Sequence, residues 1–519
     1  MTTRNMPIGI QDFEKLRTEN YVYVDKTTYV YDLASRSTPY FLGRPRRFGK
    51  SLLLSTFKAY FLAKKELFNG LALAGLEREW IEYPVFHLDL NIGLYDSRKG
   101  LEDVLDAQLR EFERVWGKDE ADTTLQIRFL SLIRRAREKT GRKVVVLVDE
   151  YDKPLISTLE QGETHDDIKT ALKAFYSVLK SADPDLRFVL LTGVTKFSQV
   201  SVFSDLNHLR DISMLKEYAG VCGITETELL DTFTPEITAL AEETGARYED
   251  TLALLRKNFN GYHFSRNSEG VYNPFSLLNT FANKAITYYW FQTGTPTFLI
   301  KELQKNKLDL RAFSGGASMD DMDIADYRFG KNPVPLLYQT GYLTIKDYDT
   351  KSMNYTLTFP NEEVKYGFLK SLLPHYIPVA EREDFFIKSF LNDLERGDID
   401  SVMVRFQAFF ASIPYDLTDT FDKEKDYQMV FYLVFTLLGQ YTEAEVRSAR
   451  GRADAVVKTE DAIYVFEFKI SKGGTVEDAL KQIEGKGYLI PYSADGRRVV
   501  KVGVVFDEEK RTIAEWGQA

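Results

Sequence analysis

The chain has 519 residues, which is too long for one hydrophobic core and favours two to four domains. Its net charge of −10 argues against a protein that coats nucleic acid through bulk positive charge, while leaving room for a local basic groove. Its single cysteine, Cys222, excludes an internal disulfide, and its first residues lack the apolar run of a signal peptide, so we expect a cytoplasmic protein.

Residues 1–220 alternate strand-like and helix-like segments. The expected strands are 40–42, 85–90, 143–148 and 187–192, and the expected helical segments are 51–62, 101–140 and 165–182. Strands that alternate with helices predict a parallel sheet with helices on both faces. The β-branched run at 143–148 is typical of a strand that is buried on both sides.

The pattern changes after this region. The sequence Thr225-Glu226-Thr227-Glu228 is typical of a capping box, and helices are expected from there to about residue 305. Residues 341–360 predict two strands joined by a polar turn, and the flanking helices suggest a winged-helix-like module. Helices return at 381–415. We therefore expect a helical and winged-helix-like middle at 221–420.

The C-terminal part, 421–519, is expected to run helix, strands, helix, strand. Its apolar stretch at 429–438 is too short to span a bilayer, so it predicts a buried helix and no membrane association. Together these patterns predict an α/β multidomain chain.

The segment RPRRFGKSLLLS, residues 44–55, resembles the end of a phosphate-binding loop. The usual pattern is G-x-x-x-x-G-K-[ST], but Arg44 stands where the first glycine belongs, and Gly43 lies one place earlier. The expected strand, loop and helix still fit a phosphate site, with Lys50 reaching phosphate and Ser51 binding Mg²⁺. The full set expected to contact ATP here is Gly43, Arg46, Arg47, Phe48, Gly49, Lys50 and Ser51. The arginines could instead face a partner or nucleic acid.

A second element supports a nucleotide site. The apolar strand at 144–148 ends in Asp149 and Glu150, which suits a Walker B aspartate for the metal and a glutamate that polarises water. The next strand ends at Thr192, where a polar group could sense the γ-phosphate. Chance occurrence of Gly-Lys-Ser, or a simple turn at Asp-Glu, is the alternative. Arg210 is a candidate arginine finger, although a surface or structural role is favoured.

A different site is predicted near the C-terminus. Strands at 453–457 and 463–470 are expected to place Asp454 beside Glu467 and Lys469, which share one strand face by the two-residue period. Two carboxylates and a lysine suit Mg²⁺-dependent phosphodiester hydrolysis. Glu445 could add a carboxylate, and Gln482 could position substrate or water. The alternative is an ion pair on a half-exposed strand.

The chain also resembles a known bacterial family. The resemblance covers nearly the whole chain and depends on the strings IGIQDFEKLRTENYVYVDKT, RPRRFGKSLLLST, VVLVDEYDKPL, LTGVTKFSQVSVFSDLNHL, NGYHF, YNPFSLLN, QTGYLTI, GRADAVV and IYVFEFKI. This largely uncharacterised family joins an AAA-ATPase-like domain to a nuclease-like domain of the PD-(D/E)xK superfamily. The resemblance implies phosphate and Mg²⁺ binding by Lys50 and Ser51, a Walker B pair, and a nuclease core. Ala453 replaces the superfamily's proline.

These features lead us to expect an ATP-binding enzyme, with ATP and Mg²⁺ as cofactors, that controls a nuclease acting on DNA. The rival is a nucleotide-gated switch or scaffold whose nuclease-like domain binds a partner without cleaving. A homo-oligomer that supplies an arginine finger is left open.

Overall fold

A computed structural model describes residues 5–36, 38–196, 209–293, 299, 302–303, 313, 316–320, 323–324, 332–376, 383–411, 423–439, 443–446, 453–507, 509–510 and 512–519. The chain forms two compact units. The first contains Met1–Asn306 and Ala317–Glu363, and the second contains Lys307–Gly316 and Val364–Ala519. The division at residues 220 and 420 stays a prediction.

The first unit is built on the predicted parallel sheet. Its strands are β1 Tyr40–Gly43, β2 Val85–Asp89, β3 Val144–Asp149, β4 Leu186–Gly193 and β5 Arg210–Asp211. Their order is β2-β3-β4-β1-β5, and every pair is parallel. All residues of β3 are buried, as expected for a β-branched strand covered on both faces.

Amphipathic helices connect and cover these strands. They are Phe13–Thr18, Thr27–Ser35, Lys50–Phe61, Ala72–Leu76, Arg98–Trp116, Leu125–Thr140, Lys153–Ser157, Glu163–Tyr176 and Val178–Ser181. The helix Arg98–Trp116 buries Leu101, Leu105 and Leu109 at four-residue spacing, while Ser97 accepts a hydrogen bond from the backbone N–H of Gly100 at its start. The predicted helical segment at 101–140 contains two helices, this one and Leu125–Thr140.

The rest of the first unit is mainly helical. Its helices are Glu226–Thr244, Tyr248–Phe259, Pro274–Asn283 and Val334–Gln339. The predicted capping box is present, with Thr225 and Glu228 bonding each other's backbone N–H groups. A small antiparallel sheet contains β6 Ala317–Asp320, β7 Thr344–Asp349 and β8 Asn354–Thr358 in the order β6-β8-β7. The predicted strand pair at 341–360 corresponds to β7 and β8.

The second unit carries a mixed sheet. Its strands are β9 Glu443–Val446, β10 Ala455–Lys458, β11 Ala462–Ile470, β12 Arg498–Asp507 and β13 Thr512–Gln518, and its helices include Glu383–Glu395, Ile399–Ala411, Lys423–Leu438 and Val476–Gly485. The order is β13-β12-β11-β10-β9, with β11 and β12 parallel and the other pairs antiparallel. The prediction of one final strand is wrong, because β13 pairs with β12.

The helix Glu362–Tyr376 begins in the first unit and continues in the second. Among the described residues, no helix combines the length and the apolar character that a membrane span requires.

Candidate functional sites

The loop between β1 and the helix Lys50–Phe61 has the backbone of a phosphate cradle. Gly49 caps the helix with a φ of 92°, and Arg47 has a φ of 70°. Both values lie in the left-handed region, which glycine adopts without strain and arginine does not. The helix N-terminus that follows has N–H groups without a partner inside the helix, and such groups favour an anion.

Lys50 lies inside this loop. Its side chain is buried, and its Nζ donates to the carbonyl oxygens of Arg44 and Pro45 at 2.9 and 3.1 Å. Neutral carbonyls are weaker partners for an ammonium group than a phosphate is. The lysine is therefore placed to exchange these partners for a phosphate. Ser51 follows it in the first turn of the helix and is partly exposed.

Arg44 has a structural position that its sequence context does not reveal. Only 1% of it is exposed, and its guanidinium donates to the carbonyls of Gly43, Ser213 and Tyr218 at 2.7 to 2.9 Å. The group also lies 4.1 Å over the ring of Phe264. Because backbone carbonyls and an aromatic ring surround the guanidinium, the expectation that Arg44 faces a partner is wrong.

The remaining predicted loop residues take separate positions. Arg46 is exposed, and the exposed Arg47 places its guanidinium 4.3 Å over the ring of Phe275. The ring of Phe48 is buried against Tyr262 and Phe264, with centroids 4.8 and 5.4 Å away. The Phe48 side chain therefore anchors the loop.

Gly43 ends β1 opposite Gly193 of β4, and its N–H donates to the hydroxyl of Ser213.

The predicted Walker B carboxylate lies at the end of β3. Asp149 is buried, and its Oδ1 accepts hydrogen bonds from the Thr192 hydroxyl at 2.7 Å and from the Glu150 N–H at 3.0 Å. Because β4 lies between β3 and β1, Thr192 stands between this carboxylate and the phosphate loop. The structure thus brings Asp149, Thr192 and the loop to one edge of the sheet.

Glu150 has a strained backbone, with a φ of 49°. Burial raises the pKa of its carboxyl group, the charge of Lys50 opposes this change, and the carboxylates of Asp152 and Asp149 add to it. A carboxylate with a raised pKa accepts a proton more readily near neutral pH. The environment of Glu150 therefore suits a general base.

Sequence reasoning missed Asp152. Its buried Oδ2 accepts hydrogen bonds from the N–H groups of Val194 and Thr195 and from the Thr195 hydroxyl, at 2.6 to 3.0 Å. These bonds join the loop after β3 to the loop after β4. The available signal was a second aspartate three positions after Asp149.

A cavity beside the phosphate loop was also missed. The cavity has a volume of about 90 Å³, and its surface is mainly apolar. Its lining comes from three chain regions: Pro7, Leu16, Val22, Tyr23, Val24 and Lys26; Phe48, Gly49, Leu52, Leu53 and Thr56; and Val221, Cys222, Gly223, Ile224, Phe233, Pro274 and Leu278. Residues this far apart in sequence give no local pattern.

The nuclease-like site lies at the end of β11 in the second unit. The Nζ of Lys469 donates to Glu467 Oε1 at 3.2 Å and to Gln482 Oε1 at 2.6 Å. The amide nitrogen of Gln482 also donates to Glu467 Oε1. Glu467 and Lys469 thus share one strand face, as the alternation predicts. Their bonds to Gln482 show that this face is turned toward the helix Val476–Gly485.

Asp454 lies immediately before β10, so the predicted strand at 453–457 begins one position after it. Its Oδ2 accepts a hydrogen bond from the N–H of Phe468 at 2.9 Å, which holds it beside β11. Glu445 pairs with Val456 through the β9–β10 register, while its side chain lies outside the described residues.

The charge balance of this site fits a divalent cation. Burial raises the pKa of Glu467, Asp454 raises it further, and the Lys469 ammonium opposes both. Glu467 Oε2 is buried and lacks a hydrogen-bond partner. A buried carboxylate oxygen without a partner is costly unless a cation approaches it. In the described part of the chain no group of three or more His, Cys, Asp or Glu side chains is gathered for a metal, but Mg²⁺ needs only one or two carboxylates.

Two further groups border this site. Lys486, at the end of the helix Val476–Gly485, is exposed, and its charge lowers the pKa of Glu467. Tyr488 is buried, and its hydroxyl accepts a long hydrogen bond of 3.5 Å from the Gln482 amide. Both follow Gln482 closely in sequence, which was the only signal.

Arg210, the candidate arginine finger, lies in β5 and forms an ion pair of 2.8 Å with Glu217. Its role stays a prediction.

Two family models match segments of this chain. A family model described as a predicted AAA-ATPase matches residues 7–203, and one described as the PD-(D/E)XK nuclease superfamily matches residues 422–516. A protein of Azotobacter chroococcum mcd 1, described as an uncharacterized protein in the vnfD 5' region, is 36% identical over 521 residues. That match covers 99% of this chain and 98% of the relative.

Proposed function

We propose a function from the premise that the chain belongs to the family that joins an N-terminal predicted AAA-ATPase domain to a C-terminal domain of the PD-(D/E)XK nuclease superfamily. The protein binds and hydrolyses ATP in its first unit, and this nucleotide state controls a metal-dependent nuclease in its second unit. The observation that carries the nucleotide site is the convergence of Lys50, Asp149 and Thr192 at the carboxyl ends of adjacent strands.

In the nucleotide site each group has a separate task. The N–H groups after Gly49 and the ammonium of Lys50 bind phosphate. Ser51 and Asp149 hold Mg²⁺, which neutralises phosphate charge. Thr192 fixes the orientation of Asp149 through its hydrogen bond, and Glu150 orients water and accepts its proton.

The cavity beside the loop supplies a place for the nucleoside. Its mainly apolar lining suits a base, and Gly49 belongs to both the cavity wall and the phosphate loop. Lys26 closes one wall by donating to Gly220 O and to both carboxylate oxygens of Glu228, at 2.6 to 2.7 Å. A base in this cavity would therefore lie next to phosphates at the loop.

In the second unit, Asp454 and Glu467 hold the metal and Lys469 acts on the reacting phosphate. Mg²⁺ bound there would neutralise the scissile phosphate and lower the pKa of water. Lys469 stabilises the charge that develops on phosphate, and Gln482 holds the lysine and Glu467 in place. The main support for this metal site is Glu467 Oε2, which is buried and lacks a hydrogen-bond partner.

The substrate we propose is DNA. The exposed Lys486 beside the site supplies a cation for its backbone, although the chain as a whole is acidic. We assign the protein to the cytoplasm, where ATP and DNA occur together in bacteria. If a neighbouring copy supplies the arginine finger, the active form is a homo-oligomer.

ATP binding is tested by calorimetric titration of an ATP analogue and Mg²⁺ into wild type and Lys50→Ala. We expect saturable binding that is weakened at least 100-fold by the substitution, because a buried ammonium–phosphate contact is lost. Lys58→Ala is the matched control, since Lys58 is exposed on the same helix. Absence of binding by wild type would refute the nucleotide site.

Nuclease activity is tested with plasmid and single-stranded DNA in Mg²⁺, with and without ATP. We expect cleavage by wild type that responds to ATP and is lost in Asp454→Asn and Lys469→Ala. Lys481→Ala, an exposed change on the helix Val476–Gly485, should retain activity. ATP binding without cleavage, together with equal Mn²⁺ titrations for wild type and Asp454→Asn, would favour the inactive scaffold instead.

A further inference from the structure

The segment 260–264, which contains the NGYHF string, packs directly against the phosphate loop. The rings of Tyr262 and Phe264 hold Phe48, as described above. Gly341 approaches from the QTGYLTI string, and a Cβ there would lie 2.7 Å from Pro45 and 3.5 Å from the Tyr262 ring. Close packing of this kind transmits a displacement, because no free volume absorbs it.

The same segment contacts the start of a long helix on its other side. A Cβ at Gly261 would lie 2.1 Å from the carbonyl oxygen of Pro360. The side-chain amide of Asn361 donates to the carbonyl of Asn260 at 2.9 Å. Residues 260–262 therefore lie between the phosphate loop and the residues that lead into the helix Glu362–Tyr376.

Glu363 fixes the beginning of that helix. It is completely buried, and its Oε1 accepts hydrogen bonds from the Ser276 hydroxyl at 2.8 Å and from the Trp290 N–H at 3.0 Å. It is the last residue of the first unit, and Val364 is the first residue of the continuing second unit. A buried carboxyl group at this point of the chain has a structural cost, so its presence calls for a role.

Three buried polar atoms belong to Glu363, Tyr262 and Asn273. Glu363 Oε2, the Tyr262 hydroxyl and the Asn273 amide nitrogen are all buried without a hydrogen-bond partner of good geometry. Burial raises the pKa of Tyr262, the charge of Glu363 adds to this effect, and Asn273 opposes it. Asn273 also caps the helix Pro274–Asn283. Phe275 belongs to this helix, and the guanidinium of Arg47 lies over its ring.

We propose that the segment 260–264 and Glu363 couple the nucleotide state of the phosphate loop to the helix Glu362–Tyr376, with Glu363 as the positioning residue. The proposal rests on the proposed ATP binding. Lys50 donates to the Pro45 carbonyl, so a phosphate that competes for this ammonium changes the loop at the residue that packs against Gly341. The displacement reaches the start of the helix through Tyr262. The hydrogen bonds of Glu363 to Ser276 and Trp290 determine whether the helix moves with it.

The test is hydrogen exchange, measured by mass spectrometry, in peptides covering residues 364–376. In wild type we expect an ATP analogue with Mg²⁺ to change the exchange rate there at least threefold. Glu363→Leu should bind the analogue within about threefold of wild type but lose this change. Glu363→Gln should retain it, because the amide keeps the acceptor for Ser276 and Trp290.

Glu242→Leu, the same change at an exposed glutamate of the first unit, is the control and should respond like wild type. If Glu363→Leu does not fold, Tyr262→Phe provides the second variant, since it keeps the ring against Phe48 and removes only the hydroxyl. We expect it to bind the analogue and to reduce the exchange change by half or more.

The outcomes separate this inference from the proposed function. If wild type does not bind the analogue, both fail. If wild type binds it but exchange at 364–376 is unchanged, or if Glu363→Leu and Tyr262→Phe both keep the full response, the coupling is refuted while ATP binding stands. Neither result depends on nuclease activity.

Discussion

Arg44 takes the place of a phosphate loop's first glycine and does a different task. A glycine there allows a tight turn, whereas this side chain ties the loop to the carbonyls of Gly43, Ser213 and Tyr218. The buried guanidinium of Arg44 thus stabilises the loop. We expect Gly49, Lys50 and Ser51 to supply the groups that bind phosphate.

The first prediction concerns this cation. Arg44→Met keeps much of the apolar stem but leaves carbonyl groups buried without donors, so we expect the first unit to lose about 3 kcal/mol of unfolding free energy. Arg46→Met, at an exposed position of the same loop, should change it by less than about 0.5 kcal/mol. Urea denaturation measures both. Equal effects would show that the Arg44 contacts do not support the loop.

Glu363 also has an unusual environment, because its carboxyl group is completely buried. Burial raises the pKa of its carboxyl group to about 7, and the hydrogen bonds from Trp290 and Ser276 oppose the rise. In the folded chain the group is therefore largely protonated at slightly acidic pH, although an exposed glutamate would be ionised there.

The second prediction follows from the sign of this shift. Between its ordinary value of 4.5 and about 7, the unfolded chain has released the Glu363 proton and the folded chain retains it. The unfolded state then binds fewer protons, so the free energy of unfolding falls as pH rises, by about 3 kcal/mol across this window. Below the window and above it, this contribution is constant.

Glu363→Gln removes this titration, so its stability relative to wild type should increase as pH rises from about 4.5 to 7. Urea denaturation of the first unit at several pH values measures the difference. Parallel pH profiles for the two proteins would mean that Glu363 is ionised in the folded chain.

At the scale of elements, the site depends on the loops that follow β3 and β4. Asp152 joins them through Val194 and Thr195, and Gly193 allows the approach. A Cβ at Gly193 would lie 2.6 Å from Asp152 Oδ1 and 2.7 Å from the Tyr151 ring. The polar residues that follow β3 and β4 are therefore held together at one edge of the sheet.

The third prediction is that Gly193→Ala separates these loops. We expect a loss of about 2 kcal/mol in unfolding free energy from the steric overlap, and at least tenfold slower ATP hydrolysis because Thr192 and Asp149 move. Gly75→Ala is the control, since a Cβ there meets nothing within 4 Å. Denaturation and phosphate release measure the two effects. Unchanged hydrolysis in Gly193→Ala would contradict the assignment of this edge.

At the scale of the whole molecule, the two units carry separate candidate sites. The nucleotide groups belong to Met1–Asn306, and the carboxylates Asp454 and Glu467 belong to Val364–Ala519. A ligand stabilises the part of the chain that forms its site, by an amount set by its concentration and affinity.

The fourth prediction uses this separation. At a 100-fold excess over its dissociation constant, an ATP analogue should stabilise the first unit by about 2.7 kcal/mol, and Mn²⁺ should do the same for the second. Proteolysis at increasing temperature, with fragments assigned by mass spectrometry, distinguishes the units. Lys50→Ala should lose only the first effect and Asp454→Asn only the second. Loss of both effects in either variant would contradict the assignment of the two ligands to separate sites.

The sequence by itself determined the features that short stretches of chain encode. The parallel strands, the Gly49-Lys50-Ser51 turn and the shared face of Glu467 and Lys469 follow from apolar periodicity, glycine dihedral freedom and the two-residue period of a strand. The ends of the four predicted parallel strands moved by at most one residue. The strand β13 was missed, because Thr512–Gln518 carries polar residues that only pairing with β12 makes a strand.

Only the tertiary structure decided which groups from distant parts of the chain meet. Arg44 is buried because Ser213 and Tyr218 return to it, and Asp152 gains its role from Val194 and Thr195. Glu363 lies beside Ser276 and Trp290, far from both in sequence. Burial, desolvation and hydrogen bonding depend on these long-range neighbours, and no local sequence pattern specifies them.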